Sequence, residues 1–395
     1  MKKLAAVIFA MFLTANANSQ TVLAGGFGTD GLGVINGNTY SKTGTLGSGG
    51  FPFVSASKDG STFYASSPST SKLYFINVAT MTFTDSMSIY VRNLASSNEP
   101  NILFALTTKA LCRINTATKS VVDSIVLGAP WQVEERPNSK EVWVSDSGKM
   151  HVVDYTTSLS ATTINFTSSP YDYGGAKFST GGSMAFKGAS VAKKIYKINA
   201  LTHAIVDSVT TSPSGYSNMV VSHDSSKLFV CDPNTLKVRV FNTSDLSVAD
   251  SIDCGVLTPI NIYRHPDRNE IWVVHHFSDS ISVYNENTGA LIAAFDAAGS
   301  PWYIAFADGG PTSIDHNGSA QALRIYPNPV NDWLSIEGMR NGSTVSAFGL
   351  NGSKMASWIS TGQVFDVHSF KPGIYFLTIN DKEGKLIAET QFVKL

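Results

Sequence analysis

The sequence predicts an all-β chain, on three observations. A unit of about 40 residues recurs through its centre, which marks a repeat architecture. Each unit, and the tail that follows, breaks into short apolar runs divided by polar turns rich in Gly, Asn and Asp, the pattern of short strands. The composition is that of an exported β protein, with 32 Gly, abundant Ser and Thr, and 15% charged residues against about 25% in an ordinary domain.

Met1-Lys2-Lys3 is a positive start, Leu4 to Leu13 an apolar run and Ala15-Asn16-Ala17 an A-x-A cleavage pattern, so residues 1–17 read as a secretory signal peptide. Polar Thr14 to Asn16 arrives too early for a membrane anchor, which needs about 18–20 apolar residues. No later run is long enough, so no transmembrane span is expected.

The repeat is anchored by an apolar residue followed by Asn or Asp: Ile35-Asn36, Ile76-Asn77, Ile114-Asn115, Val153-Asp154, Ile198-Asn199, Phe241-Asn242 and Tyr284-Asn285. Before each of the last six lies a strand-opening pair, Phe63-Tyr64, Leu103-Phe104, Val142-Trp143, Ala185-Phe186, Leu228-Phe229 and Ile271-Trp272. Four short strands per unit make a propeller blade. The phase of the repeat predicts closure. The first anchor has only Thr21 to Ala24 before it, whereas Pro301 to Phe306 is an inner strand with nothing after it. Joining the two completes a seventh blade across residues 21–307 and removes unpaired strand edges.

Residues 308–320 are polar and Gly-containing and read as a linker. Residues 321–395 predict a small Ig-like β-sandwich, since alternating runs such as Leu334-Ser335-Ile336 and Ile374 to Ile379 are divided by Asn351-Gly352 and Asp381 to Gly384. The fold class is therefore a seven-bladed β-propeller with N- and C-terminal strand closure, followed by a β-sandwich.

The tail carries, in order, Tyr326-Pro327-Asn328-Pro329-Val330, Leu334-Ser335-Ile336, Asn351-Gly352-Ser353-Lys354, Lys371-Pro372-Gly373-Ile374-Tyr375-Phe376-Leu377 and Phe392-Val393-Lys394-Leu395. These motifs resemble the C-terminal type A sorting domain of the type IX secretion system. One departure is Phe348-Gly349-Leu350, where such domains more often have a polar turn. The resemblance implies Sec export, passage across the outer membrane with the type IX machinery as partner, and a product that is secreted or held at the cell surface, commonly with the sorting domain removed. The central repeat resembles the YVTN family of seven-bladed propellers in its order of turn, strand, Asn or Asp, then Thr.

With 29 basic and 30 acidic residues the net charge is -1, so the chain has no overall electrostatic footprint for nucleic acid. Cys112, Cys231 and Cys254 are an odd number without metal-ligand spacing. No cofactor and no metal are expected, the fold is held by packing, and a monomer is expected.

Loops entering the inner strands and hairpins joining second to third strands open on one propeller face. The entering loops supply the candidate ligand-binding residues Phe51, Arg92, Trp131, Gln132, Tyr171, Tyr173, Tyr216, Asn261, Trp302 and Tyr303, with His276 from a neighbouring strand end. Flat aromatic area beside amide and guanidinium groups suits a small molecule, glycan or protein segment. The competing reading is that these aromatics pack one blade on the next. His203, His223 and His265 fall in turns or an outer hairpin and read as solvated. One carboxylate of Glu134 or Glu135 is expected to face the axial channel and to pair with Arg136 or Arg264. No Gly-x-Ser-x-Gly, His-Glu-x-x-His or P-loop occurs, so no catalytic residue is assigned. The favoured function is an exported binding module. The alternatives are a lactonase- or lyase-like propeller enzyme with Glu135 at its axial site, and an adhesive or matrix protein. Asp-Ser-apolar at Asp85, Asp123, Asp207, Asp250 and Asp279 resembles acceptor sites for O-glycosylation on exported proteins. Common descent of the repeat accounts equally for the first four.

Overall fold

The structure, a computed structural model, describes residues 20–166, 172, 174–211, 218–297, 299–307, 324–326, 329–337, 342–348, 354–360, 364–380, 382 and 386–395. The signal segment 1–17 and the linker 308–320 lie outside the described residues. The chain divides into two compact units, Met1–Gly310 and Pro311–Leu395. Among the described residues the regular structure is strand throughout, apart from a 3-10 turn at His276–Ser278.

Among the described residues the first unit contains seven four-stranded antiparallel sheets. Sheet 1 is assembled from both ends of the unit, in the order Pro301–Ala307, Thr21–Gly26, Leu32–Asn36, Ser41–Leu46. Its join is an antiparallel ladder in which Thr21 faces Ala307 and Ala24 faces Ile304. Sheets 2 to 7 are four-strand meanders over residues 53–88, 93–126, 130–165, 176–210, 219–253 and 261–296. Their innermost strands contact one another in order, and that of sheet 7 contacts Pro301–Ala307 of sheet 1.

Burial follows strand position. Second strands such as Glu141–Asp146 and Glu270–His275 are buried on both faces, because each sheet is covered by a neighbour on either side. Outermost strands such as Thr82–Ser88 and Ala204–Thr210 are exposed along almost their whole length. The strand-opening pairs supply the intersheet core: Phe63, Leu103, Phe104, Val142, Trp143, Leu228, Ile271 and Trp272 are all fully buried.

Every Asn or Asp anchor ends the third strand of its sheet. The reason is local. Its side-chain oxygen accepts backbone N–H bonds two or three residues on, as from Ala117 (3.0 Å) and Thr118 (2.9 Å) to Asn115, and from Leu201 (2.9 Å) and Thr202 (3.1 Å) to Asn199. This is an Asx turn. Tyr40, Met81, Lys119, His203 and Leu246, each four residues past its anchor, adopt left-handed backbone with φ of 48° to 58°, and Gly289 takes the same place with φ 68°. Asn242 differs, because Lys227 Nζ occupies its oxygen at 2.6 Å and Asp245 closes the turn on Ser247 at 3.0 Å instead.

The Asp-Ser repeat has a position of its own. In sheets 2, 3, 5 and 6 the ladder to the outer strand slips immediately before Asp85, Asp123, Asp207 and Asp250. Three of these carboxylates accept the next backbone N–H at 2.7 Å. Asp279 is unrelated: it is left-handed, and accepts from the Ser300 N–H at 2.5 Å.

In the second unit a three-stranded sheet (Arg324–Tyr326, Trp333–Glu337, Val364–Asp366) and a four-stranded sheet (Lys354–Ile359, Thr344–Phe348, Gly373–Asn380, Leu386–Lys394) enclose one core. Leu334, Ile336, Val345, Leu377, Ile379 and Phe392 are fully buried in it. The rings of Tyr375 and Phe392 stack at 5.4 Å, and the Tyr375 hydroxyl donates to the Lys371 carbonyl at 2.9 Å. The Asn351-Gly352 turn and most of Asp381 to Gly384 lie outside the described residues.

Candidate functional site

The chain enters each innermost strand at the same end of the first unit, and a cavity of about 520 Å³ opens there. Arg92, Trp131, Gln132, Trp302 and Tyr303 line it, as expected from their loops. Phe27, Pro68 and Ser190 also line it, and all three come from hairpins joining second to third strands. Phe53, Tyr90, Gly174 and Asn218 complete the wall.

The aromatic side chains form a connected series. Trp302 meets Phe27 edge-on at 5.6 Å and His276 at 5.0 Å, Phe27 meets Phe53 at 6.4 Å, and Phe53 lies 5.4 Å from Tyr303. Several remain open to solvent: Phe27 is 55% exposed, Trp131 42% and Tyr90 40%. The Arg92 guanidinium lies over the Trp131 ring, 4.3 Å from its centroid. His276 sits beside the cavity through its ring contacts, with Nδ1 3.3 Å from the Pro301 carbonyl.

The floor residues Gln132, Asn218 and Tyr303 are polar, and links between sheets hold the polar groups at and below this floor. Gln132 accepts from the Gly175 N–H at 2.7 Å, Asn218 donates to the Ile260 carbonyl at 2.7 Å, Asn261 donates to the Trp302 carbonyl at 2.9 Å, and Asn93 donates to the Tyr303 hydroxyl at 2.9 Å. A side chain at Gly175 would put its Cβ 2.4 Å from the Gln132 amide oxygen, so Gln132 would have to swing away and give up this hydrogen bond. Burial pushes the Tyr303 hydroxyl up to about 12, so it stays protonated. Gln132, Asn218 and Tyr303 also line a second axial cavity, of about 410 Å³.

Three of the candidates, Tyr171, Tyr173 and Tyr216, lie outside the described residues. Phe51 does not reach the cavity. It is 4% exposed and packs on Tyr74 and Phe83, with ring centroids at 5.6 and 6.0 Å, in the core between sheets 1 and 2. Its neighbour Phe53 lines the cavity instead. Asn261 is buried and lines only the axial cavity. Phe27 lies in a hairpin joining second to third strands, on the face where such hairpins open, but outside the entering loops that supply all the candidates except His276.

The axial carboxylates differ from expectation. Glu134 faces the axial cavity and pairs with Lys177 at 2.7 Å, not with an arginine. Arg136 pairs with Glu141 at 2.8 Å, and Arg264 donates to the Val221 and Ser222 carbonyls at 3.1 Å. Glu135 is 9% exposed and holds sheets 3 and 4 together. It accepts from Ser97 Oγ (2.7 Å), the Asn98 N–H (2.7 and 3.0 Å) and the Tyr155 hydroxyl. Burial and the adjacent Glu135 carboxylate raise the Tyr155 pKa well above its ordinary value, so Tyr155 remains a donor. Glu135→Ala is expected to cost roughly 3 kcal/mol, because three donors, two of them on the buried residues Ser97 and Tyr155, lose their acceptor at once. Tyr155→Phe, which removes one donor, is expected to cost about 1 kcal/mol. Chemical denaturation of the two variants checks the order, and equal losses would show that Glu135 does not act as the common acceptor.

His265 is not solvated: it is 2% exposed. His223 pairs with Glu286 at 2.5 Å and His203 contacts Glu141 at 3.2 Å. Lys187 is fully buried. Its ammonium donates to the Gly188 and Asp172 carbonyls at 3.1 and 3.4 Å, and burial pushes its pKa down to about 8. Its side chain does not line the cavity.

Residues 324–393 match the family model of the secretion system C-terminal sorting domain. The chain is exported by type IX secretion. Its destination is the cell surface or the extracellular space, and the sorting domain implies interaction with the type IX machinery. The first unit is similar to the β-propeller domain of Cps50 (Swd1) from Myceliophteria thermophila, with 12% identity and a TM-score of 0.54, covering 64% of this chain and 88% of that one. The likeness shows the fold to be propeller-like. No curated protein matches the chain. Among the described residues no helix is long and apolar enough to cross a membrane.

Proposed function

We propose that the mature chain is an exported binding module built on a seven-bladed, YVTN-type β-propeller closed by its own two ends, with the ligand held in the aromatic cavity. Closure is supported by the ladder between Thr21–Gly26 and Pro301–Ala307 and by the cyclic order of contacts among the innermost strands. The signal peptide at 1–17 and the linker at 308–320 rest on their sequence patterns.

The convergence of Phe27, Phe53, Tyr90, Trp131 and Trp302 on one cavity over a floor of Gln132, Asn218 and Tyr303 carries the binding reading. A patch of solvent-open rings around a concave site marks a place where a partner displaces water. Binding is favoured over catalysis because Glu135, the candidate axial carboxylate, is committed to holding two sheets together and Glu134 is neutralised by Lys177.

Thermal unfolding of the full chain against a panel of neutral and acidic oligosaccharides and ring-bearing small molecules tests the proposal. A ligand at 100 times its Kd adds about 2.7 kcal/mol, or roughly 5 °C in Tm, and Trp131→Ala is expected to abolish that shift. A panel in which no compound moves Tm would overturn the binding reading.

A further inference from the structure

Resting on the binding reading above, we propose that the cavity takes a ligand bearing a single carboxylate on a ring-containing body, and that Arg92 receives the carboxylate. Arg92 is the one charged side chain among the described residues lining the cavity. The stretches 167–171, 173 and 212–217, adjacent in the chain to Gly174 and Asn218, contain no Asp, Glu, Lys or Arg. The cavity therefore carries one positive charge with no acid in its wall to balance it.

Arg92 is also chemically open. Its backbone N–H is used, donating to the Leu106 carbonyl at 2.8 Å, but its guanidinium has no ion pair and no hydrogen bond among the described residues. Its contact is with the Trp131 ring. A guanidinium set over a ring, with no hydrogen bond of its own, has its in-plane fork of N–H groups to offer, and that fork matches the two oxygens of a carboxylate. The rings of Phe27, Tyr90, Trp131 and Trp302 supply area for the body of the ligand. The Tyr303 hydroxyl, protonated and already accepting from Asn93, has its own proton to donate. A dianion would leave a second charge without a partner in an apolar wall, which is costly. A neutral ligand would leave the guanidinium without a counter-charge.

Titration calorimetry of the full chain with two matched pairs tests this: cellobiouronic acid against its methyl ester, and indole-3-acetate against indole-3-acetamide. The two pairs separate a sugar body from an aromatic one. In at least one pair the acid is expected to bind ten-fold or more tightly than its neutral partner, and 0.5 M NaCl is expected to weaken the acid alone. Arg92→Gln, which breaks no ion pair of the fold, is expected to keep Tm within about 2 °C and to bring acid and neutral affinities within two-fold of each other. Equal binding of acid and neutral partner in wild type, or an acid preference that survives in Arg92→Gln, would overturn the carboxylate assignment while leaving the binding site standing. No heat from any of the four compounds would overturn the assignment as well, and the separate thermal panel then decides whether the binding site fails with it.

Discussion

Trp272→Ala is expected to destabilise the first unit by about 3–5 kcal/mol, the cost of removing a large ring from a core that cannot collapse around the gap, and to lower Tm by roughly 10 °C. Trp272 is fully buried, with its ring centroid 5.9 Å from Tyr40, 5.7 Å from Phe295 and 5.3 Å from Phe306. Tyr40 and Phe306 belong to sheet 1 and Phe295 to sheet 7, so one side chain fills the interface between the sheet made from both ends of the first unit and the last meander. Its indole N–H donates to Glu270 at 3.1 Å, and Glu270 accepts from the Tyr40 hydroxyl at 2.7 Å. Trp272→Phe keeps most of the ring volume and is expected to cost less than half as much. Trp143 is the internal reference. It occupies the same place in sheet 4, with its indole 3.2 Å from Glu141 and its ring 5.2 Å from Phe178. Urea denaturation of Trp143→Ala and Trp272→Ala should give losses of the same order. A Trp272→Ala loss below 1 kcal/mol would show that the joined sheet adds little to stability.

Acidification from pH 7 to pH 4 is expected to remove roughly 3 kcal/mol through His265 alone. Its Nδ1 accepts the backbone N–H groups of Asp267 and Arg268, both at 3.0 Å, and its Nε2 contacts the Gln20 amide oxygen. Each nitrogen is thereby committed to the neutral ring. Burial first, then the positive charges of Arg268 and His223, push its pKa down to about 3 from an ordinary 6.5. Between those two values the unfolded chain binds more protons than the folded one. Stability is therefore full above pH 6.5 and falls as the pH drops toward 3, by about 1.4 kcal/mol per unit. His265→Asn is expected to flatten this limb, losing at least 2 kcal/mol less than wild type between pH 7 and 4 in parallel urea titrations. Identical slopes in the two proteins would assign the acid loss to other groups.

The repeat was legible because its signal is local. Asn36, Asn77, Asn115, Asp154, Asn199 and Asn285 close turns with their own oxygens, so their recurrence marks strand ends before any tertiary contact is considered. The entering loops were legible for a similar reason, since the phase of the strands says which end they occupy. Arg92, Trp131, Gln132, Trp302 and Tyr303 were found in that way. Phe51 and Phe53 were not separable by sequence. They are two residues apart around Pro52, equally apolar, and one enters the core between sheets 1 and 2 while the other reaches the cavity.

The amino-acid sequence by itself determined the β class, the spacing of the strands, the pairing of the two ends of the first unit and the export tail, because each is written in short-range patterns of turn residues and apolar alternation. Tertiary structure alone decided which polar groups are structural. Glu134 and Glu135 are neighbours on one strand, and successive side chains point to opposite faces. One therefore meets Lys177 of the next sheet beside the axial cavity and the other is buried against Ser97, Asn98 and Tyr155. His265 reads as a turn histidine until Gln20, far away in the chain, is brought against it. Burial and charge environment are sums over residues distant in sequence, and for that reason the roles of Glu135 and His265 emerge only when the sheets are packed side by side.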